Sequence, residues 1–359
     1  MASNLSFLEK NAMRTPSLEE LLPLPAPLGL CIEPTNRCNM SCRFCPVHLE
    51  EFPDVVGGLR FMDFALFEKV IHDVKATGQQ LVNLNLYGDG EPFLNKRLLD
   101  MIRLAAQMQI AQNIIVTSNG SAITEKNAIA LLDSGLTHLR VSIYGIDEDF
   151  HRHITGSPIT PAQVHANIDR LRKLRDARGS RLPHIYVKMI GTSETRSQLE
   201  RFRELYADVA DEVNVENPIN WNGYNDNDFV GALDPGHECN LTLVQGWHKQ
   251  KGQSNHHKQI CTTPFLSLNV KSDGVVTICI VDWNKGTAVG DITRESLADI
   301  WHGERLRAFR HMHIEGRRSE NPSCRNCQVL YNSPDNIDAL ASTDPERLLH
   351  YPQHPSHNR

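Results

Sequence analysis

The chain has 359 residues, a formal net charge of −6 from 37 Lys and Arg against 43 Asp and Glu, and nine cysteines. That balance provides no basic field for nucleic acid or an anionic membrane, and no apolar run is long enough for a bilayer span or a signal peptide. An odd cysteine count at this length does not fit a secreted disulfide framework, so a reducing, cytoplasmic setting is expected, with one large domain and a smaller one.

Residues 1–27 end in Leu22-Pro23-Leu24-Pro25-Ala26-Pro27 and read as a lead-in draped on the domain. From Leu28 strands and helices alternate, with strands expected at 28–35, 81–87, 112–119, 137–144, 184–190 and 211–217. Between them, Phe64, Phe67, Ile71 and Val74 share a helix face behind Asp63 as N-cap. Thr160-Pro161 starts a helix with Val164, Ile168, Leu171 and Leu174 at helical spacing, and Leu199, Phe202 and Leu205 mark another. Strand–helix alternation of this kind predicts a parallel sheet, either an open layer or a barrel.

The strands themselves choose between the two. Val82, Leu84 and Leu86 oppose Asn83, Asn85 and Tyr87; Leu139, Val141 and Ile143 oppose Arg140, Ser142 and Tyr144. Ile185, Val187 and Met189 oppose Tyr186 and Lys188, and Val213 and Val215 oppose Asn214 and Glu216. A parallel sheet covered on both faces would read as nearly continuous apolar strands. Alternation instead puts one face on something wet. The expected fold is α/β: a wide, partial (β/α)6 TIM-like barrel around a polar chamber, spanning 28–220.

Cys38, Cys42 and Cys45 stand at C-x3-C-x2-C spacing in the loop after the first strand. Three thiolates within eight residues can bend around one small inorganic body, since each residue spans at most about 3.6 Å. Four would fill the ligand positions of a 4Fe-4S cluster, whereas three leave one iron open. A zinc site and a C-x2-C redox dithiol are the other readings of such a triplet. Beyond residue 220 the composition turns polar through a connecting segment, 221–260. Cys261, Cys279, Cys324 and Cys327 follow within 261–335, with a hairpin over 266–269 and 275–280 around Asp273-Gly274 and a helix carrying Leu297, Ile300 and Trp301. Four cysteines suit either a closed iron–sulfur cluster or structural zinc. Residues 336–359 read as a tail.

The cysteine triplet, followed by Gly88-Asp89-Gly90-Glu91-Pro92, resembles the radical S-adenosylmethionine (SAM) enzymes. That resemblance implies a cluster on Cys38, Cys42 and Cys45 whose open iron chelates SAM. It also implies reductive cleavage to a 5′-deoxyadenosyl radical, and an electron donor such as flavodoxin or ferredoxin. Gly88, Gly90 and Glu91 would meet the SAM amino group, Phe44 the adenine, and Asn119 and Ser142 the ribose level. The C-terminal set resembles the family's abbreviated SPASM module, the twitch domain, which holds one auxiliary 4Fe-4S cluster on four cysteines. Ser333 stands where a longer form would place a further cysteine. In the same way the chain is similar to aminocyclitol and carbohydrate dehydrogenases and epimerases.

A carbon radical beside a hydroxyl can lose a proton and an electron to give a ketone, or be quenched by a thiol with inversion. The first outcome needs a base, for which Glu216, Lys188 and Asp282 are candidates. The second needs a thiol outside both clusters, and Cys239 in the connecting segment is better placed than the deep Cys31. No peptide-binding module is recognisable ahead of the barrel, and a chamber of Asn, Tyr, Arg, Lys and Glu suits a carbohydrate or aminocyclitol. A peptide- or protein-modifying enzyme is the alternative within the family. A non-enzymatic zinc-binding or electron-carrier protein is the alternative outside it.

Overall fold

A computed structural model describes residues 18–192, 194–216, 258–327, 330 and 335–349. Six strands, β1 (Gly29–Ile32), β2 (Leu81–Leu86), β3 (Ala111–Ser118), β4 (His138–Ile143), β5 (His184–Ile190) and β6 (Glu212–Glu216), pair in parallel in chain order. Among the described residues the row ends at β6 without closing on β1. It is the partial barrel that the alternation predicts. Leu84, Leu86, Leu139, Val141, Ile185 and Val187 are buried on the outer face, in one core with Phe67, Ile71 and Val74 of the helix Phe64–Ala76.

The helix starts follow local chemistry. Asp63 accepts from Ala65 N, and Thr160 and Gln163 form a reciprocal capping box at the head of Pro161–Ala177. One helix differs from expectation. In Leu199–Tyr206 the buried face is Leu199, Phe202 and Tyr206, while Leu205 is 41% exposed. At 3.6 residues per turn, a step of seven returns to the starting face and a step of six does not.

The C-terminal module is grafted onto the same sheet. β7 (Ser267–Val270) lies parallel beside β1, and β8 (Val275–Thr277) and β9 (Ala288–Asp291) continue antiparallel, giving nine strands in one sheet. The expected hairpin is present, yet its first strand extends the barrel sheet beyond β1. The lead-in and the tail are also structural. Trp301 Nε1 donates to Leu24 O at 3.0 Å, and Arg347 Nε to Leu22 O at 3.2 Å. The expected tail instead holds two short helices, Asp338–Thr343 and Pro345–Leu349, with Ile337, Leu340 and Leu348 in the core. Their few apolar residues are too short a pattern to show helical period on their own. Among the described residues no helix is long and apolar enough to cross a membrane.

Candidate functional site: a thiol-lined chamber and a second cysteine cavity

A cavity of about 240 Å3 opens at the C-terminal ends of the strands. Successive strand ends supply its wall: Cys38, Cys42 and Cys45 after β1, Gly88 to Glu91 after β2, Ser118 and Asn119 after β3, then Ser142 and Tyr144, Lys188, and Glu216. Parallel α/β folds present ligand sites at this end because the following loops converge there. The cysteine loop is anchored by its backbone: Ser41 N donates to Thr155 O at 2.8 Å and Arg43 N to Ile154 O at 3.0 Å. Phe44 and Cys42 pack with Met40 and Ile154, and the Phe44 ring lies 5.1 Å from that of Tyr144.

Burial pushes all three thiols up, Cys38 to about 11, Cys45 to about 12 and Cys42 well above the usual thiol value. Burial is the largest cause at each, so at neutral pH the thiols stay protonated until a metal supplies the charge. A redox dithiol needs the opposite environment.

Gly90 is fitted against the carbonyls of Arg37 and Thr35, and Glu91 N donates to Arg37 O at 2.8 Å, locking the loop after β2 onto the cysteine loop. The Glu91 carboxylate accepts from Phe93 N (3.1 Å), Ser118 Oγ (2.8 Å) and Asn119 N (2.7 Å); burial, opposed by these donors, raises it to about 7. Asn119 in turn donates to Asn39 Oδ1 at 2.8 Å, next to Cys38. Glu91 and Asn119 therefore fasten three strand-end loops together as well as facing the chamber.

Sequence reasoning missed one cluster here. Lys271, from the hairpin turn between β7 and β8, lies 2.8 Å from Asp89 Oδ2 and 3.6 Å from Glu33 Oε2, with all three buried. Glu33 also accepts from Asp89 N (3.1 Å) and from Ser272 N and Oγ (3.1 and 2.8 Å). No local pattern links positions 33, 89 and 271; the only signal is a lysine and two carboxylates beside strand ends. Among the described residues Asp89 Oδ1 has no hydrogen-bond partner, and on the chamber wall such an oxygen suits an ammonium group.

The second cysteine set also converges. Cys261, Cys279, Cys324 and Cys327 line one cavity of about 30 Å3 with Asp282, Arg318 and His313. Burial raises Cys324 to about 12 and Cys279 well above the usual value, and lowers His313 to about 4. Arg318 donates to the carbonyls of Cys324 and Cys327. Among the described residues no three His, Cys, Asp or Glu side chains converge on a point as a single ion requires. Four thiols lining one void are a donor set that fits a 4Fe-4S cluster. Val281 borders both this cavity and the chamber.

The sequence matches the Radical SAM superfamily over residues 32–206 and the SPASM iron-sulfur cluster-binding domain over residues 261–328. The chain belongs to the radical SAM superfamily. It carries a SPASM domain, and its cofactors are SAM and two 4Fe-4S clusters. A tungsten-containing aldehyde ferredoxin oxidoreductase cofactor-modifying protein of Pyrococcus furiosus is 26% identical over 345 residues, 88% of this chain and 90% of that protein. A PqqA peptide cyclase of Methylobacterium nodulans is 29% identical over 150 residues, 41% of this chain and 37% of the cyclase. Two solved structures share the fold. BtrN in complex with AdoMet and 2-DOIA has a TM-score of 0.54 at 18% identity, covering 84% of this chain and 92% of its own. Streptococcus suis SuiB bound to precursor peptide SuiA has a TM-score of 0.61 at 16% identity, covering 89% and 74%.

In this radical SAM chain the three base candidates separate. Glu216 faces the chamber but is held by Lys188 Nζ (2.6 Å), Arg140 Nη2 (2.7 Å) and Tyr186 Oη (2.9 Å). Burial would raise it, yet Lys188 and Arg140 outweigh burial and keep it near 2, so it is ionised and weakly basic. Burial lowers Lys188 below the ordinary lysine value, although Glu216 beside it resists the change. Asp282 lies in the other cavity, where it accepts from Gly286 N (3.0 Å), Thr287 N (2.7 Å) and Thr287 Oγ1 (2.6 Å). That carboxylate shapes the loop after Cys279; as a base in the chamber it is misplaced. Cys31 donates to Tyr87 O at 3.2 Å and is pushed up by burial, an inert thiol. Cys239 and Ser333 lie outside the described residues.

Proposed function

We propose that this radical SAM protein is an oxidoreductase that dehydrogenates a carbinol carbon of a carbohydrate or aminocyclitol bound in the chamber. Cys38, Cys42 and Cys45 hold the SAM-binding cluster, and Cys261, Cys279, Cys324 and Cys327 hold the auxiliary one. Phe44, Gly88, Gly90, Glu91, Asn119 and Ser142 form the SAM side of the wall. When bound, these groups supply hydrogen-atom abstraction and an electron acceptor. The chain's own part is to seat the substrate on Arg140 and Glu216 and to receive the hydroxyl proton at Lys188 Nζ. Loss of one hydrogen atom, one proton and one electron leaves the ketone.

The observation that carries oxidation rather than thiol quenching is the wall that the two cysteine cavities share at Val281. Among the described residues, no thiol borders the chamber apart from the three of the triplet. The test is anaerobic turnover with C–H-deuterated aminocyclitols and sugars. Deuterium in 5′-deoxyadenosine with a ketone product, retained in Cys239→Ala, supports the reading. Deuterium exchange with inversion, lost in that variant, sinks it in favour of epimerisation.

A second reading, a peptide-modifying oxidase, is favoured by the peptide cyclases among the relatives and by the fold shared with peptide-bound SuiB. Deuterium transfer from a peptide and from none of the sugars would select it.

A further inference from the structure

The cavity ringed by Cys261, Cys279, Cys324 and Cys327 contains one polar side chain whose hydrogen bonding is unaccounted for. His313, on the helix Glu304–Ile314, is 1% exposed, and among the described residues neither Nδ1 nor Nε2 has a hydrogen-bond partner. Its ring packs against Phe309 with centroids 5.0 Å apart, which fixes its plane and offers only carbon on that side. A neutral imidazole always carries one N–H and one lone pair. Leaving such a donor buried and unpaired forfeits its hydration with nothing in return, so a native site supplies an acceptor. Among the described residues none is supplied. What remains is whatever fills the cavity the ring borders, and in a four-thiolate site that is sulfur.

We propose that His313 donates a ring N–H hydrogen bond to a sulfur of the auxiliary cluster and thereby sets its reduction potential. The inference rests on the auxiliary cluster occupying this cavity. A donor aimed at sulfur stabilises the more negative, reduced state more than the oxidised one, so it raises the potential. That makes the cluster a readier acceptor for an electron arriving from the chamber side through Val281. His313 is a positioning and tuning residue; it touches neither substrate nor SAM.

The test uses the holoenzyme with both clusters and no substrate, so its outcome is independent of which reaction the chamber performs. The auxiliary signal is the one that SAM leaves unchanged in redox titration followed by electron paramagnetic resonance. His313→Phe, which keeps the ring volume and removes the donor, is expected to lower the auxiliary potential by at least a tenfold shift in the oxidised-to-reduced ratio, about 59 mV for one electron. His313→Gln, which retains a donor, should recover most of that shift. Pulsed resonance on the unmodified enzyme grown with 15N-histidine should show a weak nitrogen coupling to the reduced auxiliary cluster. An unchanged potential in His313→Phe, an absent coupling, or a coupling large enough for direct iron ligation would each overturn the proposal.

Discussion

At the residue scale the chemistry is decided by what stands beside each thiol and each charge. Removing one member of the triplet leaves the first cluster with two ligands. Cys38→Ala is therefore expected to lower iron from roughly eight to roughly four per chain and abolish SAM cleavage, while the auxiliary signal persists. Iron analysis with product detection on reduction checks this. Lys188 gives a pH prediction with a definite sign. A lysine accepts a proton only in its neutral form, whose fraction grows as pH rises through its pKa. Burial lowers that pKa and the adjacent Glu216 resists the change. Turnover limited by proton removal should rise with pH through one ionisation lying below the ordinary lysine value. In Lys188→Met that rising limb should vanish and kcat should fall by about 10²-fold or more, the usual scale of general-base loss. A variant that keeps the same limb would remove Lys188 from the role.

At the element scale the loop after β2 is the piece with least room. A Cβ on Gly90 would fall inside contact distance of the Arg37 and Thr35 carbonyls, and backbone on both sides cannot swing away as a flexible side chain can. Gly90→Ala should therefore push the loop off the cysteine segment and weaken SAM binding by at least about tenfold. Equilibrium binding to the reconstituted protein measures it. The cysteine segment itself hangs on Thr155 and Ile154, the last turn of the helix Glu148–Thr155, so an element after β4 fixes a loop after β1. The strand positions were readable from alternation alone. The buried face of Leu199–Tyr206 was readable only in part, because three apolar residues in eight leave its phase undetermined until a neighbouring strand selects it.

At the scale of the whole molecule the C-terminal module is part of the barrel's construction. β7 covers the edge of β1, and Lys271 reaches from the adjoining turn into the buried gap between Glu33 and Asp89. Its two carboxylate neighbours raise the lysine above its usual value despite burial, so it is charged throughout the working pH range. Lys271→Met would leave two buried carboxylates without their cation, at a cost of about 3–5 kcal/mol. A lower urea midpoint and weaker SAM binding are expected together, because Asp89 borders the chamber. Loss of stability with SAM affinity intact would show that the latch serves packing alone. By the same geometry, a chain ending before β7 exposes an unpaired parallel edge along β1 and should aggregate on size-exclusion chromatography.

The amino-acid sequence by itself determined what depends on spacing and period: the C-x3-C-x2-C triplet, the turn at Gly88–Pro92, the six alternating strands and the later four cysteines. These are local patterns, and a period of two or a short loop constrains its residues wherever the chain goes. The fold alone brings Asp282 to the auxiliary cavity, sets Glu216 within hydrogen-bond distance of Lys188 and Arg140, and joins Glu33, Asp89 and Lys271. It also turns His313 into the cysteine cavity without a hydrogen-bond partner among the described residues. Such groupings join residues far apart in the chain, and burial shifts their charges only after they have met.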